Sequence, residues 1–208
     1  MGRQKKNKPR RPAAGGSFLV RDALHEDIPG ICAVMPEAFG LMGGAPWTDP
    51  AYVAEGLEVC AAGLSGRQKV KVALEGSGVV GCSFSGLALA GDGQTAHTQL
   101  GIIHGIAVRP DRRRHGAASA LLTTCEDYLG DEGARVMIAE VRPRAVGFFA
   151  ARGYATASGP ALLIPAPAGT YVHQQSTPTT ALMWKSRSAA VAPQPSGHGT
   201  TLVGLLAS

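Results

Sequence analysis

Between Val108 and Leu122 the chain reads Val-Arg-Pro-Asp-Arg-Arg-Arg-His-Gly-Ala-Ala-Ser-Ala-Leu-Leu. A strand that runs into Pro110 must end there, a tight basic loop follows, and a helix opens on small residues. The first N–H groups of a helix have no partner within it, and its dipole is positive at that end. A phosphate can therefore be held there. Gly116, Ala117 and Ala118 let the backbone approach a bulky anion, and Arg113, Arg114 and His115 add donors beside the charge of Arg112. A base that works near neutral pH is best supplied by a histidine. His104 stands four residues before Val108, with the parity of Ile106 and Val108, so strand alternation puts these side chains on one face. A hydrogen-bonded strand histidine is the equally open alternative. Glu140 is the competing base; orienting a cationic group or pairing with a nearby arginine are its other readings. His97 reads as a solvated loop histidine or as a group facing the cleft.

Positioning these residues requires a strand near 97–108, a helix over 117–129 and a strand over 136–141. The pattern predicts all three as one β-α-β crossover with parallel neighbours. Upstream, residues 18–21 read as a first strand and Asp27 as the N-cap of a helix. That helix carries Ile28, Ile31, Val34, Met35 and Phe39 at helical spacing. Residues 50–64 read as a second helix. Residues 69–74 and 79–89 read as strands joined by a turn at 75–78. Downstream, 145–152 reads as a helix stopped by Gly153. Two late strands near 154–164 and 180–185 flank a long polar loop. The expected class is α/β, with a mixed, mostly antiparallel central sheet of about six to seven strands and helices on both faces. Residues 1–16 read as a disordered basic tail, 17–186 as one domain and 187–208 as a flexible tail.

Of the 208 residues, 45% are hydrophobic and 17% charged, a globular balance. The formal charge of +5 is concentrated at the start. Six of the 20 Lys and Arg lie in the first sixteen positions, leaving 14 basic residues against 15 acidic ones. By charge the body is not a nucleic-acid binder, and an RNA role would rest on the tail. Cys32, Cys60, Cys82 and Cys125 are widely spaced without a CxxC pair and read as reduced core thiols of a cytoplasmic protein. No secretory signal, membrane-spanning run or metal site is expected.

The string Arg113-Arg114-His115-Gly116-Ala117-Ala118 resembles the acyl-CoA-binding motif of the GNAT superfamily, Gln/Arg-x-x-Gly-x-Gly/Ala. Arg21-Asp22-Ala23, Val79-Val80-Gly81, Phe148-Phe149 with Gly153-Tyr154, and Ala181-Leu182-Met183-Trp184-Lys185 resemble other segments of the family in order. The resemblance implies the GNAT fold over about residues 17–186. It implies acetyl-CoA, or another acyl-CoA, as cosubstrate, with the acyl group passed directly to a primary amine. By the same resemblance, Ile106, Ala107 and Val108 with Arg113, Arg114, His115, Gly116, Ala117, Ala118 and Ser119 bind the cofactor. The Ile106 N–H becomes the oxyanion donor and Val108 the partner of the pantetheine amide. The strand 136–141 splays away to admit that arm. Phe149 stands where many members carry a Tyr that reprotonates the thiolate, and Arg142 or Arg144 where an Asn is frequent. Loops 40–49, with Trp47, and 165–180, with Tyr171 and His173, are expected to select the acceptor. The expected partner is a small-molecule amine. A protein N-terminus or lysine, or CoA binding without catalysis, are the alternatives. A homodimer accords with the family.

Overall fold

Alternating apolar and small residues from Lys69 to Val108 favour extended chain, and the tight Gly76-Ser77 turn folds it back on itself. The structure is a computed structural model that describes residues 18–35, 48–61, 68–89, 96–166, 169–175, 178–188, 191–197 and 199–204. The basic tail, Trp47 and most of the 40–49 loop lie outside these residues. In chain order come β1 (Leu19–Asp22), α1 (Ile28–Val34), α2 (Pro50–Ala61), β2 (Lys69–Glu75), β3 (Gly78–Leu89) and β4 (Ala96–Val108). Then follow α3 (Ala117–Asp131), β5 (Val136–Val141), α4 (Pro143–Ala150), β6 (Ala155–Thr156), β7 (Ala161–Ala166), β8 (Gly169–Gln174), β9 (Ala181–Ser186), β10 (Ala192–Ser196) and β11 (Gly199–Val203).

Seven strands form the main sheet in the order β1-β2-β3-β4-β5-β9-β6. All its neighbours are antiparallel except β4 and β5, which α3 connects as a crossover. The mixed α/β architecture, with helices on both faces, matches the expected GNAT fold. On one face, Ile28, Ile31, Val34 and Val53 of α1 and α2 pack against Val72, Leu74, Cys82 and Ala107. On the other, Leu122, Cys125 and Leu129 of α3 and Phe149 of α4 cover Leu87, Ile103, Met137 and Ala139.

The C-terminal part departs from expectation. Residues 187–208, read from the sequence as a loose tail, supply β10 and β11. The polar stretch 165–180, read as a loop, contains β8. These strands join β7 in a second sheet of order β10-β11-β7-β8. The physical reason is burial. Leu162, Ile164 and Leu202 turn onto Ile102, Ile138, Leu182 and Trp184 of the main sheet, on the side that α1 and α2 cover further along. Short strands of Pro, Thr, Gly and Gln carry almost no propensity signal, so only this packing reveals them.

Asp27 also differs from its expected role. It precedes α1 in helical conformation without a side-chain cap bond to that helix. Its carboxylate instead accepts hydrogen bonds from Arg21 at 2.5 and 3.0 Å and from the Leu24 N–H at 2.7 Å, tying β1 to the entry of α1. Burial alone would raise its pKa, but the Arg21 and Leu24 bonds outweigh that and hold it below the usual carboxylate range. A carboxyl with a depressed folded pKa stabilises fully above its unfolded value of 3.8, and that contribution is lost as pH falls through the folded value. Asp27→Asn is therefore expected to lower the melting temperature at pH 7 by about 5 °C. The gap to wild type should close as the pH falls below 3.8, which thermal melts across pH will check.

Candidate active site

A break in pairing organises the centre of the sheet. β4 pairs with β5 only from Leu100–Val136 to Ile103–Ala139, yet β4 stays on β3 as far as Val108 and β5 stays on β9 as far as Val141. Beyond Ile103 the two central strands therefore part. The Arg109 N–H donates to the Val80 carbonyl of β3 at 2.9 Å. Alternation then turns the backbone groups of Ile106 and Val108 the other way, into the gap. The splay expected from the resemblance is present, with these two residues on its rim.

The parting begins at a β-bulge. Ser85 opposes Ile103 and Phe84 opposes Gly105, which leaves His104 as the extra residue. This overturns the expectation that His104 shares a face with Ile106 and Val108. Ile106 and Val108 pack toward α3, whereas the His104 ring lies against Phe84, on the α1–α2 side, with centroids 5.0 Å apart. The Nε2 atom of His104 is buried without a hydrogen-bond partner among the described residues. Burial, helped by the charge His173 would carry, pushes the imidazole pKa down to about 4, so the ring is neutral at pH 7.

The second sheet completes this pocket. β8 brings His173 close enough to His104 to act on its charge, and Glu140 in turn acts on His173. Burial lowers the His173 pKa and Glu140 works against that shift. The Tyr171 hydroxyl meets His173 Nδ1 at 3.4 Å, with the rings stacked. The Thr180 hydroxyl donates to Glu140 Oε1. The structure thus gathers His104 and Glu140 with the two aromatic residues of the expected acceptor segment. His97 is the second residue of β4, opposite Ala88, and its side chain lies outside the described residues.

The phosphate loop is built as its residue types require. Gly116 has φ 100° and caps α3; Arg114 before it has φ 66°. A Cβ placed on Gly116 would meet nothing within 4 Å, so the glycine serves the left-handed turn and leaves the helix end open. No acidic residue occupies the first turn of α3. Arg113 Nε donates to the Val108 carbonyl at 3.1 Å and pins the loop to the end of β4. Arg114, His115 and Gly116 are exposed, and Ala117, Ala118 and Ser119 form the first turn. Arg112 pairs with Glu75 at 2.6 Å instead of facing this turn. One cation was not anticipated from the sequence. Arg152 donates to Ser119 Oγ and to the Phe148 carbonyl, with its guanidinium 3.8 Å from the Phe148 ring centre. The spacing of Phe148 and Arg152, one helical turn apart, was the available signal.

Phe149 is buried edge-on against Phe148 and Tyr154. Tyr154, the nearest phenol to it in sequence, points its hydroxyl at Met137 Sδ, 3.9 Å away. Burial first, and then the charge of Glu126, raise its pKa, which makes it a poor proton donor. Cys82 is fully enclosed and its thiol pushed up to about 12. Cys125 is buried with its sulfur 3.2 Å from Ser83 Oγ; both thiols act as packing. No helix among the described residues is long and apolar enough to cross a membrane.

A histidine whose folded pKa lies below its unfolded value of 6.5 binds fewer protons when folded. It therefore costs stability as the pH falls from 6.5 toward 4. His104→Gln should flatten the fall in melting temperature across that window while leaving melts above pH 7.5 nearly unchanged. Parallel pH profiles for wild type and variant would show that His104 is not buried neutral.

The sequence profile described as the acetyltransferase (GNAT) family matches residues 45–154. No curated protein matches the chain. Among solved structures, a GNAT superfamily phosphinothricin acetyltransferase from Sinorhizobium meliloti, in complex with AcCoA, is similar over 86% of this chain and 94% of its own. The TM-score is 0.61 and the identity 22%. Ribosomal-protein-alanine N-acetyltransferase from Brucella melitensis aligns over 81% and 99% of the two chains, with TM-score 0.59 and 17% identity. PaiA N-acetyltransferase from Thermoplasma acidophilum, in complex with coenzyme A, aligns over 82% and 99%, with TM-score 0.58 and 11% identity. At such identities these likenesses show the fold. The matched profile spans more than half of the chain, including the parted strands, the Gly116 turn and α3. The chain belongs to the GNAT acetyltransferase family.

Proposed function

We propose that this protein transfers an acetyl group from acetyl-CoA to the nitrogen of a primary amine carried by a small molecule. The observation that carries the reading is the parting of β4 from β5 at His104, whose buried Nε2 has no hydrogen-bond partner among the described residues. The open turn at Gly116 suits the pyrophosphate, with Arg114 and Arg152 contributing charge on either side. The backbone of Ile106 and Val108 suits the pantetheine arm and the thioester oxygen that becomes negative during attack. The neutral amine adds to the thioester carbon and the C–S bond breaks. His104 Nε2 accepts a hydrogen bond from the attacking N–H, the amine proton passes to water, and CoA leaves as a thiolate. With Phe149 where a donor phenol would stand, no side chain need protonate the sulfur, because a thiol of pKa about 8.5 is a tolerable leaving group. Glu140 and His173 suit the orientation of the incoming ammonium.

Two measurements test this. Ala118→Glu places a carboxylate on the first turn of α3, which the helix dipole stabilises but a pyrophosphate cannot tolerate. Calorimetric titration should show acetyl-CoA affinity down by about tenfold or more in protein that still melts cooperatively. An unchanged affinity would place the cofactor elsewhere. His104→Ala should lower kcat by about a hundredfold with acetyl-CoA affinity retained. In the wild type, kcat/KM should rise with pH as the amine deprotonates, without an inflection between pH 6 and 7, because His104 titrates near 4.

A further inference from the structure

A cavity of about 400 Å³ lies between α1, α2 and the β2–β3 hairpin, within the roughly 300–1,000 Å³ of small-molecule sites. Ile31 lines it from α1 and Met35 from the residue that follows, Val53 and Leu57 from α2, and Val70 and Phe84 from the strands. Phe84 forms part of its wall and is the residue against which the His104 ring lies, so the cavity and the proposed site of transfer share that side chain. A second feature points the same way. Gly56 lines the cavity from the interior of α2, where glycine weakens a helix relative to alanine. A Cβ there would meet nothing within 4 Å. Packing does not require the glycine, which is exposed and leaves the rim of the cavity unobstructed. The polar side chains on the wall are Tyr52 and Glu55, which are exposed, and Gln68, which is half-buried.

We propose that this cavity receives the substituent of the acceptor, and that the acceptor is a small amine bearing an uncharged aromatic or branched aliphatic group. The proposal rests on the reading of the protein as an amine acetyltransferase. Ile31, Met35, Val53, Leu57 and Val70 offer no partner to a second ammonium or a chain of hydroxyls, and the carboxylate on the wall, Glu55, is exposed to water, so polyamines and amino sugars gain little by entering. Each methylene that enters such a site is expected to improve kcat/KM about three- to fourfold.

The test follows CoA release with phenethylamine, isoamylamine, ethylamine and spermidine in wild type, Gly56→Ala and Gly56→Leu. Leucine is a better helix former than glycine, so Gly56→Leu should melt at or above the wild-type temperature. The expected result is a preference of about fiftyfold or more for phenethylamine over ethylamine in kcat/KM. That preference should fall at least about tenfold in Gly56→Leu and be largely kept in Gly56→Ala. Equal use of ethylamine or spermidine, or a preference that survives Gly56→Leu, overturns the cavity assignment while amine transfer stands. No CoA release from any amine, with acetyl-CoA bound, overturns the transfer reading instead. Titration of phenethylamine into the acetyl-CoA-loaded protein then decides the cavity. Binding that Gly56→Leu abolishes supports it, and no binding overturns it.

Discussion

The sheet gives up ladder hydrogen bonds at its centre, and the rest of the site follows from that. Backbone N–H and C=O groups demand partners, and a middle strand ordinarily finds them on both sides. From His104 to Val108, β4 keeps only β3, while β5 turns to β9. A gap of this kind would collapse if its walls could move. They cannot, because α3 braces one face through Leu121, Leu122 and Cys125, and the second sheet braces the other through Leu162 and Ile164. Polar backbone is thus presented, without reorganisation, where an acyl thioester needs donors. The bulge at His104 belongs to the same event: one added residue ends the β4–β5 register and swings the imidazole to the opposite face from Ile106.

The same economy governs charge. The Gly116 turn keeps its helix end open and free of acids, and the nearby cations are anchored by partners other than a ligand: Arg113 on the Val108 carbonyl, Arg112 on Glu75, Arg152 on Ser119 and Phe148. A cluster of arginines around an anion site costs self-repulsion when the site is empty, and these contacts offset it. In the acceptor half the logic reverses. His104, His173 and Tyr171 are buried enough to disfavour their charged forms, so the pocket rests neutral, with Glu140 at its side.

Much of this was legible in the sequence where local chemistry decides structure. Pro110, Gly116 and Gly153 punctuate the chain as their backbone preferences require, and the crossover from β4 through α3 to β5 follows from hydrophobic period alone. What was not legible depends on pairing between distant segments. The alternation that put His104 beside Ile106 fails because a bulge is set by its partner strand and leaves no mark in its own. Asp27 looks like a helix cap, but Arg21, six residues earlier, takes its carboxylate. Val172, Tyr171 and His173 alternate as a strand should, yet their polar neighbours hide it. Only the buried row on β7 shows why β8 forms.

The second sheet has a consequence for how the protein comes into being. β11 pairs in parallel with β7, Thr200 with Leu162, so nearly forty residues of chain must be made before that pairing exists. Among the described residues, the latest hydrogen-bond partner of the phosphate turn and α3 is Arg187, just past β9. During synthesis the donor half can consolidate while the strand that carries His173 still lacks the neighbour behind β7. The two halves of the site thus depend on different lengths of chain, the acceptor side on the longer.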